Sequence, residues 1–167
     1  MKQAFPPVVN SKASVLILGS MPGEASLAAQ QYYAFGRNAF WNIMGELVGA
    51  APELPYRRRL DKLQQAGIAI WDVLAACQRE GSLDSAIDQQ TLVANNFELF
   101  LTQYPAIEWV YFNGKTVSAL FKKHVQKRQQ LRTDITYTTL PSTSPANARM
   151  AYEVKLQQWS VIVDKLA

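Results

Sequence analysis

"SVLILGS", residues 14–20, decides how the rest of the chain reads. Four consecutive apolar residues, two of them β-branched, stop at Gly19-Ser20. A run this short, with no alternating polar positions, suits a strand buried on both faces, and such strands belong to parallel sheets covered by helices. Three further runs have the same brevity: "IAIWDVL" (68–74), "IEWVYFNG" (107–114) and "ITYTTL" (135–140). Helical spacings fill the intervals. Phe40, Trp41, Met44 and Leu47 mark a helix from Asn38 to about Val48, and "YRRRLDKLQQAG" (56–67) turns Leu60 and Leu63 inward with Gly67 as its stop. "KTVSALFKKHV" (115–125) carries Val117, Leu120 and Phe121 on one side, and "ARMAYEVKLQQWSVIVDKL" (148–166) closes the chain as a helix. "DSAIDQQ" (84–90) and "NNFELFLTQYP" (95–105) read as helical or irregular turns. Strands alternating with helices predict an α/β fold, a three-layer α/β/α sandwich with a central four-stranded parallel sheet. One domain over 1–167 accounts for the whole length.

Composition narrows the class. Hydrophobic residues make up 49% of the 167, enough for a sizeable core. "MKQAFPPVVNSK" contains no apolar signal core, and no run reaches membrane-spanning length, so a cytoplasmic protein without membrane contact is expected. One cysteine permits no internal disulfide, and with one histidine it cannot form a Cys/His zinc site, so neither metal nor cofactor is expected. A monomer is the default. The net charge of +4 is mild, but "RRR" (57–59) and "FKKHVQKRQQLR" (121–132) gather basic residues that can track a phosphate backbone.

In such folds ligands bind outside the carboxyl ends of the strands. The residues after each strand are turn-forming and polar: Gly-Ser-Met-Pro-Gly, Trp-Asp, Asn-Gly and Pro-Ser-Thr-Ser-Pro. The turn at 19–23 lacks the spacing of a P-loop or a dinucleotide fingerprint, so it is a plain strand-to-loop turn whose amides can still hold a water or a carbonyl. Two readings stay open for "YYAFGRNAF" (32–40): one tyrosine in the core with Asn38 capping the next helix, or an aromatic stacking face beside an amide that orients water. Asn113 either closes a turn or presents a donor and an acceptor to the edge of a nucleobase. In "LPSTSPANA" (140–148), Ser144 either caps the last helix with Pro145 at its first position, or the hydroxyls and amides bind phosphate. Asp72 is either polar-site material or a local cap, the cap being preferred; His124 is read as solvent-facing, Cys77 as packing, and Trp41, Trp71, Trp109 and Trp159 as core.

Taken in order, "LGSMPGEASL", "YYAFGRNAFW", "GIAIWDVLAACQREGSLDSAI", "FNGKTVSALF" and "LPSTSPANA" resemble successive motifs of the uracil-DNA glycosylase superfamily, and within it the hypoxanthine-DNA (deoxyinosine) glycosylase branch. The resemblance runs over nearly the whole chain. It implies a monofunctional enzyme of base excision repair that hydrolyses the N-glycosidic bond of a deaminated base everted from damaged DNA. Asn38 falls on the branch's catalytic asparagine, expected to hold the attacking water. Tyr33 falls where related enzymes stack a ring on the everted base, and Asn113 on a base-reading asparagine. Gly19, Ser20 and Met21 match the first motif, whose backbone amides read the base edge and act like an oxyanion hole for its departure. Ser142, Thr143, Ser144, Pro145, Ala146 and Asn147 match the loop that grips phosphate and enters the DNA. Two departures stand out: Phe35-Gly36 replaces the branch's His-Pro, and the last motif lacks the histidine of the main uracil-excising enzymes. A mismatch-directed uracil or thymine glycosylase, or a non-catalytic nucleic-acid-binding domain on the same fold, are the competing readings.

Overall fold

Val15 to Gly19 are buried at every position, as a strand covered on both faces requires. The computed structural model describes residues 1–166. In chain order the elements are β1 (Lys2–Gln3), β2 (Val15–Gly19), α1 (Glu24–Ala29), α2 (Phe40–Val48), α3 (Tyr56–Ala66), β3 (Ile68–Asp72) and β4 (Leu74–Cys77). They continue with β5 (Val93–Ala94), α4 (Phe97–Gln103), β6 (Trp109–Asn113), α5 (Lys115–Phe121), β7 (Thr136–Leu140) and α6 (Tyr152–Trp159). The expected four strands form one parallel sheet in the order β3-β2-β6-β7.

Strand alternation divides the core in two. Leu16, Leu18, Trp71, Val110 and Phe112 face α4 and α5, packing on Phe97, Phe100, Val117, Leu120 and Phe121. Val15, Ile17, Ile68, Ile70 and Tyr111 face α2, α3 and α6, against Phe40, Ile43, Met44, Leu63 and Trp159. This is the three-layer α/β/α sandwich. Gly67 stops α3 in the left-handed region (φ 87°), as its position predicts.

Four expectations change. "IAIWDVL" is two strands, because after Asp72 the chain leaves the parallel sheet and β4 pairs antiparallel with β1 and β5. Two-residue strands such as β1 and β5 carry no sequence period to detect. The closing helix spans only Tyr152–Trp159 and continues as a 3-10 helix, Ser160–Lys165. The helix begun at Lys115 widens into a π-turn over Lys122–Gln126. Trp41, Trp71 and Trp159 are core, whereas Trp109 is half-buried with the Lys165 ammonium 4.4 Å over its ring.

Candidate active site

Gly19 and Asp72 are register partners at the carboxyl ends of β2 and β3, and Asn113 stands opposite Leu140 at the ends of β6 and β7. The chain leaves β2 to build on one side of it and leaves β6 to build on the other, so a crevice opens between them. A cleft of about 1470 Å³ lies there. Every candidate taken from the sequence lines it: Asn38, the 19–21 turn, Tyr33, Asn113 and the 142–147 loop.

The 19–21 turn is held from two directions. The carbonyls of Gly19 and Ser20 accept from Val73 and Leu74 N–H at 2.8 and 3.1 Å. The Ser20 hydroxyl donates to Asp84 Oδ1 at 2.6 Å. Arg79, buried, donates to the carbonyls of Pro22 (2.6 Å) and Gly81 (3.1 Å) and lies 3.9 Å from Asp84. The Ser20 hydroxyl and carbonyl are thus both engaged within the protein.

Tyr32 and Tyr33 differ in placement. Tyr32 is core, its hydroxyl donating to the Pro6 carbonyl at 2.8 Å. Tyr33 adopts φ 54°, a left-handed conformation that costs a non-glycine residue on the order of 1–3 kcal/mol and tends to persist at functional sites. Its ring stacks on Phe40 with centroids 3.9 Å apart and planes 20° from parallel. Burial, then the nearby Asp72 carboxyl, raises its phenol far above the ordinary range, so the hydroxyl keeps its proton.

Asn38 is not the N-cap of α2, which is Ala39 with no side-chain bond. Its Oδ1 accepts from Phe40 N–H at 3.0 Å, supplying α2 with an N-terminal acceptor, while the residue lines the cleft half-buried. A carboxamide oxygen has two lone pairs, so one remains for water. The adjoining Ala39 N–H donates to the Thr143 carbonyl at 3.0 Å, tying the start of α2 to the opposite loop.

Asn113 is buried, and its amide is occupied within the protein. Nδ2 donates to the Thr143 hydroxyl at 2.9 Å and to the Tyr33 hydroxyl at 3.4 Å, and Oδ1 accepts from Thr143 N–H at 2.9 Å. Thr143 is 1% exposed and anchors the loop; Ser142, Ser144, Pro145, Ala146 and Asn147 form its outer turn. Ser144 does not cap α6, which begins at Tyr152 behind Ala151 without a side-chain bond. The Ser144 hydroxyl instead accepts from Ala146 N–H at 3.2 Å, and Ser142 Oγ accepts from Ser144 N–H at 3.2 Å.

The basic clusters lie outside the cleft lining, whose cations are Arg37 and Lys115. Arg59 is held by the Leu54 carbonyl (3.1 Å) and rests on Trp41 and Tyr56, and Arg132 donates to the carbonyls of Pro105 and Ile107. His124 is corrected from solvent-facing to buried, 6% exposed, with Nε2 3.0 Å from Gln89 Oε1. Its place four residues after Leu120 and three after Phe121 was the signal; basic neighbours obscured it. Cys77 is buried and packs in the core.

Asp72 is where the preferred sequence reading, a cap rather than polar-site material, changes. It is no cap: its side chain lines the cleft, only 4% exposed, and Oδ2 has no hydrogen-bond partner among the described residues. A Cβ on residue 19 would lie 2.6 Å from Asp72 Oδ1 and 3.1 Å from the Tyr33 hydroxyl, so only glycine fits there. Burial, then Asp84, pushes the Asp72 carboxyl up to about 7 against the opposing pull of Arg79. A carboxylate closing a strand beside a glycine-ended neighbour was the available cue.

A family model for the uracil DNA glycosylase superfamily matches residues 6–165. The chain belongs to that superfamily. Among curated relatives of this glycosylase are the Hypoxanthine DNA glycosylase of Methanosarcina acetivorans, 32% identical over 165 residues (97% of this chain, 98% of the relative), and that of Methanosarcina barkeri, 38% identical over 115 residues (68% and 72%). The solution NMR structure of a Methanosarcina acetivorans protein assigned to the uracil DNA glycosylases superposes with a TM-score of 0.79 at 30% identity, covering 97% of this chain and 96% of that one. The α/β fold, the family and the class of enzyme, a DNA glycosylase acting on N-glycosyl bonds, agree with the sequence reading.

Proposed function

We propose that this glycosylase is monofunctional and hydrolyses the N-glycosidic bond of hypoxanthine (deoxyinosine) everted from damaged DNA, acting in the cytoplasm as a monomer and a single domain. The observation that carries the reading is convergence. Asn38, Tyr33, the 19–21 turn and the 142–147 loop come from distant parts of the chain and line one cleft at the strand ends. The two Methanosarcina relatives named for hypoxanthine support the choice of base. Among the described residues no helix is long and apolar enough to cross a membrane.

Hypoxanthine pairs poorly with thymine, so it costs less than an intact pair to extrude, and everting a base costs a few kcal/mol. Phe40 covers one face of Tyr33, and the base takes the other. The backbone N–H groups of Ser20 and Met21 meet the base edge. Asn113 braces Tyr33 and the 142–147 loop and has one Oδ1 lone pair left for the base. The outer turn of that loop holds phosphate. Asn38 positions water under the sugar carbon, where an oxocarbenium-like centre develops.

Asn38→Ala is the test. It is expected to retain binding to an inosine-containing duplex and to lower single-turnover release of hypoxanthine by about 100-fold or more. Undiminished release removes Asn38 from the mechanism. Parallel substrates carrying uracil, xanthine and thymine in the same context rank the bases. Faster release of uracil or thymine than of hypoxanthine favours the mismatch-directed reading, and release of none favours a binding domain.

A further inference from the structure

Asp72 has no part in the steps assigned to Asn38, Tyr33 and the two loops, yet among the described residues it is the buried carboxyl of the cleft. Its Oδ1 packs beside Gly19, its Oδ2 has no partner, and no cation among the described residues lies within ion-pair distance. Arg79, the cation that acts on it, is bonded instead to the carbonyls of Pro22 and Gly81 and faces Asp84. Asn95 Nδ2 donates at 2.8 Å to the Asp72 backbone carbonyl and does not reach the carboxyl. A carboxyl so enclosed stays neutral more readily than it ionises, and a neutral carboxyl is a proton donor.

We propose that Asp72 is the acid of this site, giving a proton to an unprotonated ring nitrogen of an everted purine as the bond to the sugar breaks. This role rests on the glycosylase reading and narrows its substrate class to deaminated purines. In the step, the Asp72 O–H bond breaks and leaves its electron pair on the carboxylate. The purine nitrogen uses its lone pair to form the new N–H bond. The C1′–N9 electron pair enters the base, which departs as neutral hypoxanthine. The water held by Asn38 bonds to C1′ and sheds its surplus proton to solvent, and solvent returns a proton to Asp72. Purines keep free ring nitrogens at N3 and N7. Uracil has none, because N1 is bonded to the sugar and N3 carries hydrogen, so this acid assists purines selectively.

The groups that act electrostatically on Asp72 are Asp84, Arg79, Tyr32 and Tyr33. Burial lifts both phenols far above neutrality, so neither changes charge near it. The Asp72 carboxyl, held up to about 7, is the group that does.

The experiment measures single-turnover release from duplexes carrying hypoxanthine, 7-deazahypoxanthine, 3-deazahypoxanthine or uracil, between pH 5.5 and 8.5. With the unaltered protein, hypoxanthine release is expected to fall about tenfold per pH unit above pH ~7, because only the protonated acid works. The deaza analogue lacking the accepting nitrogen should be released about 100-fold more slowly or worse. Asp72→Asn should lose a similar factor on hypoxanthine together with the alkaline limb, and the ratio of hypoxanthine to uracil release should fall. The analogues and the pH profile of the unaltered protein decide the matter even if Asp72→Asn misfolds. Hypoxanthine release indifferent to pH, to both analogues and to Asp72→Asn overturns the acid and leaves the glycosylase reading standing. No hypoxanthine release from the unaltered protein overturns both.

Discussion

Asn113 and Thr143 are joined by a closed pair of hydrogen bonds, Nδ2 to the threonine hydroxyl and threonine N–H to Oδ1, both 2.9 Å long. The loop that carries Ser142, Ser144 and Asn147 is therefore fixed to the end of β6, and through the third bond of the amide to Tyr33. One buried carboxamide positions the Tyr33 ring and the 142–147 loop together.

Asn113→Ala strands a buried N–H and a buried hydroxyl, so it is expected to destabilise the fold by about 1–3 kcal/mol. Thr143→Val removes the hydroxyl but spares the backbone bond and should cost less. Urea unfolding of both single variants and the double variant should give a coupling of about 0.5 kcal/mol or more. Additive effects would show that the pair does not act as a unit.

Gly19→Ala places a methyl group 2.6 Å from Asp72 Oδ1 and 3.1 Å from the Tyr33 hydroxyl. Overpacking of this kind costs about 1–3 kcal/mol, and here it displaces two groups that line the cleft. Thermal melts should show a modest loss and single-turnover release of hypoxanthine a much larger one. A variant with unchanged release would place neither Asp72 nor Tyr33 against the base.

Asp72 also makes stability depend on pH. A carboxyl held up to about 7 in the folded protein binds its proton more tightly there than in the unfolded chain. Its contribution is full below about pH 4 and is lost as pH rises through about 7, a change of up to about 4 kcal/mol at about 1.4 kcal/mol per unit. Asp72→Asn cannot ionise, so urea midpoints should show the variant gaining on the unaltered protein between pH 4.5 and 8. An equal difference at both ends would mean that the carboxyl is not shifted.

Arg37 and Lys115 are the exposed cations of the cleft lining. DNA affinity should fall with log salt at about −0.9 per phosphate contacted, and Arg37→Gln or Lys115→Gln should each flatten the slope by about 1. Arg58→Gln, on the outer side of α3, should leave it unchanged. The opposite pattern would move the DNA onto the "RRR" face.

The architecture was legible because β2, β3 and β6 are short buried apolar runs, while β7, three of its five residues threonine, is marked by β-propensity, and the residues that follow β2, β6 and β7 line the cleft. Asn38 and Asn113 were found by type and place, but their bonding was not visible: the Asn113 partners are 30 and 80 residues away in sequence. Asp72 was set down as a cap in preference to polar-site material because a carboxylate after a strand looks like a cap until its surroundings are known. His124 escaped for the reverse reason, since a helical period marked it buried and its charged neighbours argued otherwise. Ser144 was assigned to a helix start that lies eight residues further on, at Tyr152.

The bond from Ala39 N–H to the Thr143 carbonyl spans more than a hundred residues. During synthesis the ribosome releases Asn38 early, and it waits without a counterpart until Thr143 emerges and β7 docks. A chain that ends before Thr143 therefore carries Asn38 without this bond and without the 142–147 side of the cleft.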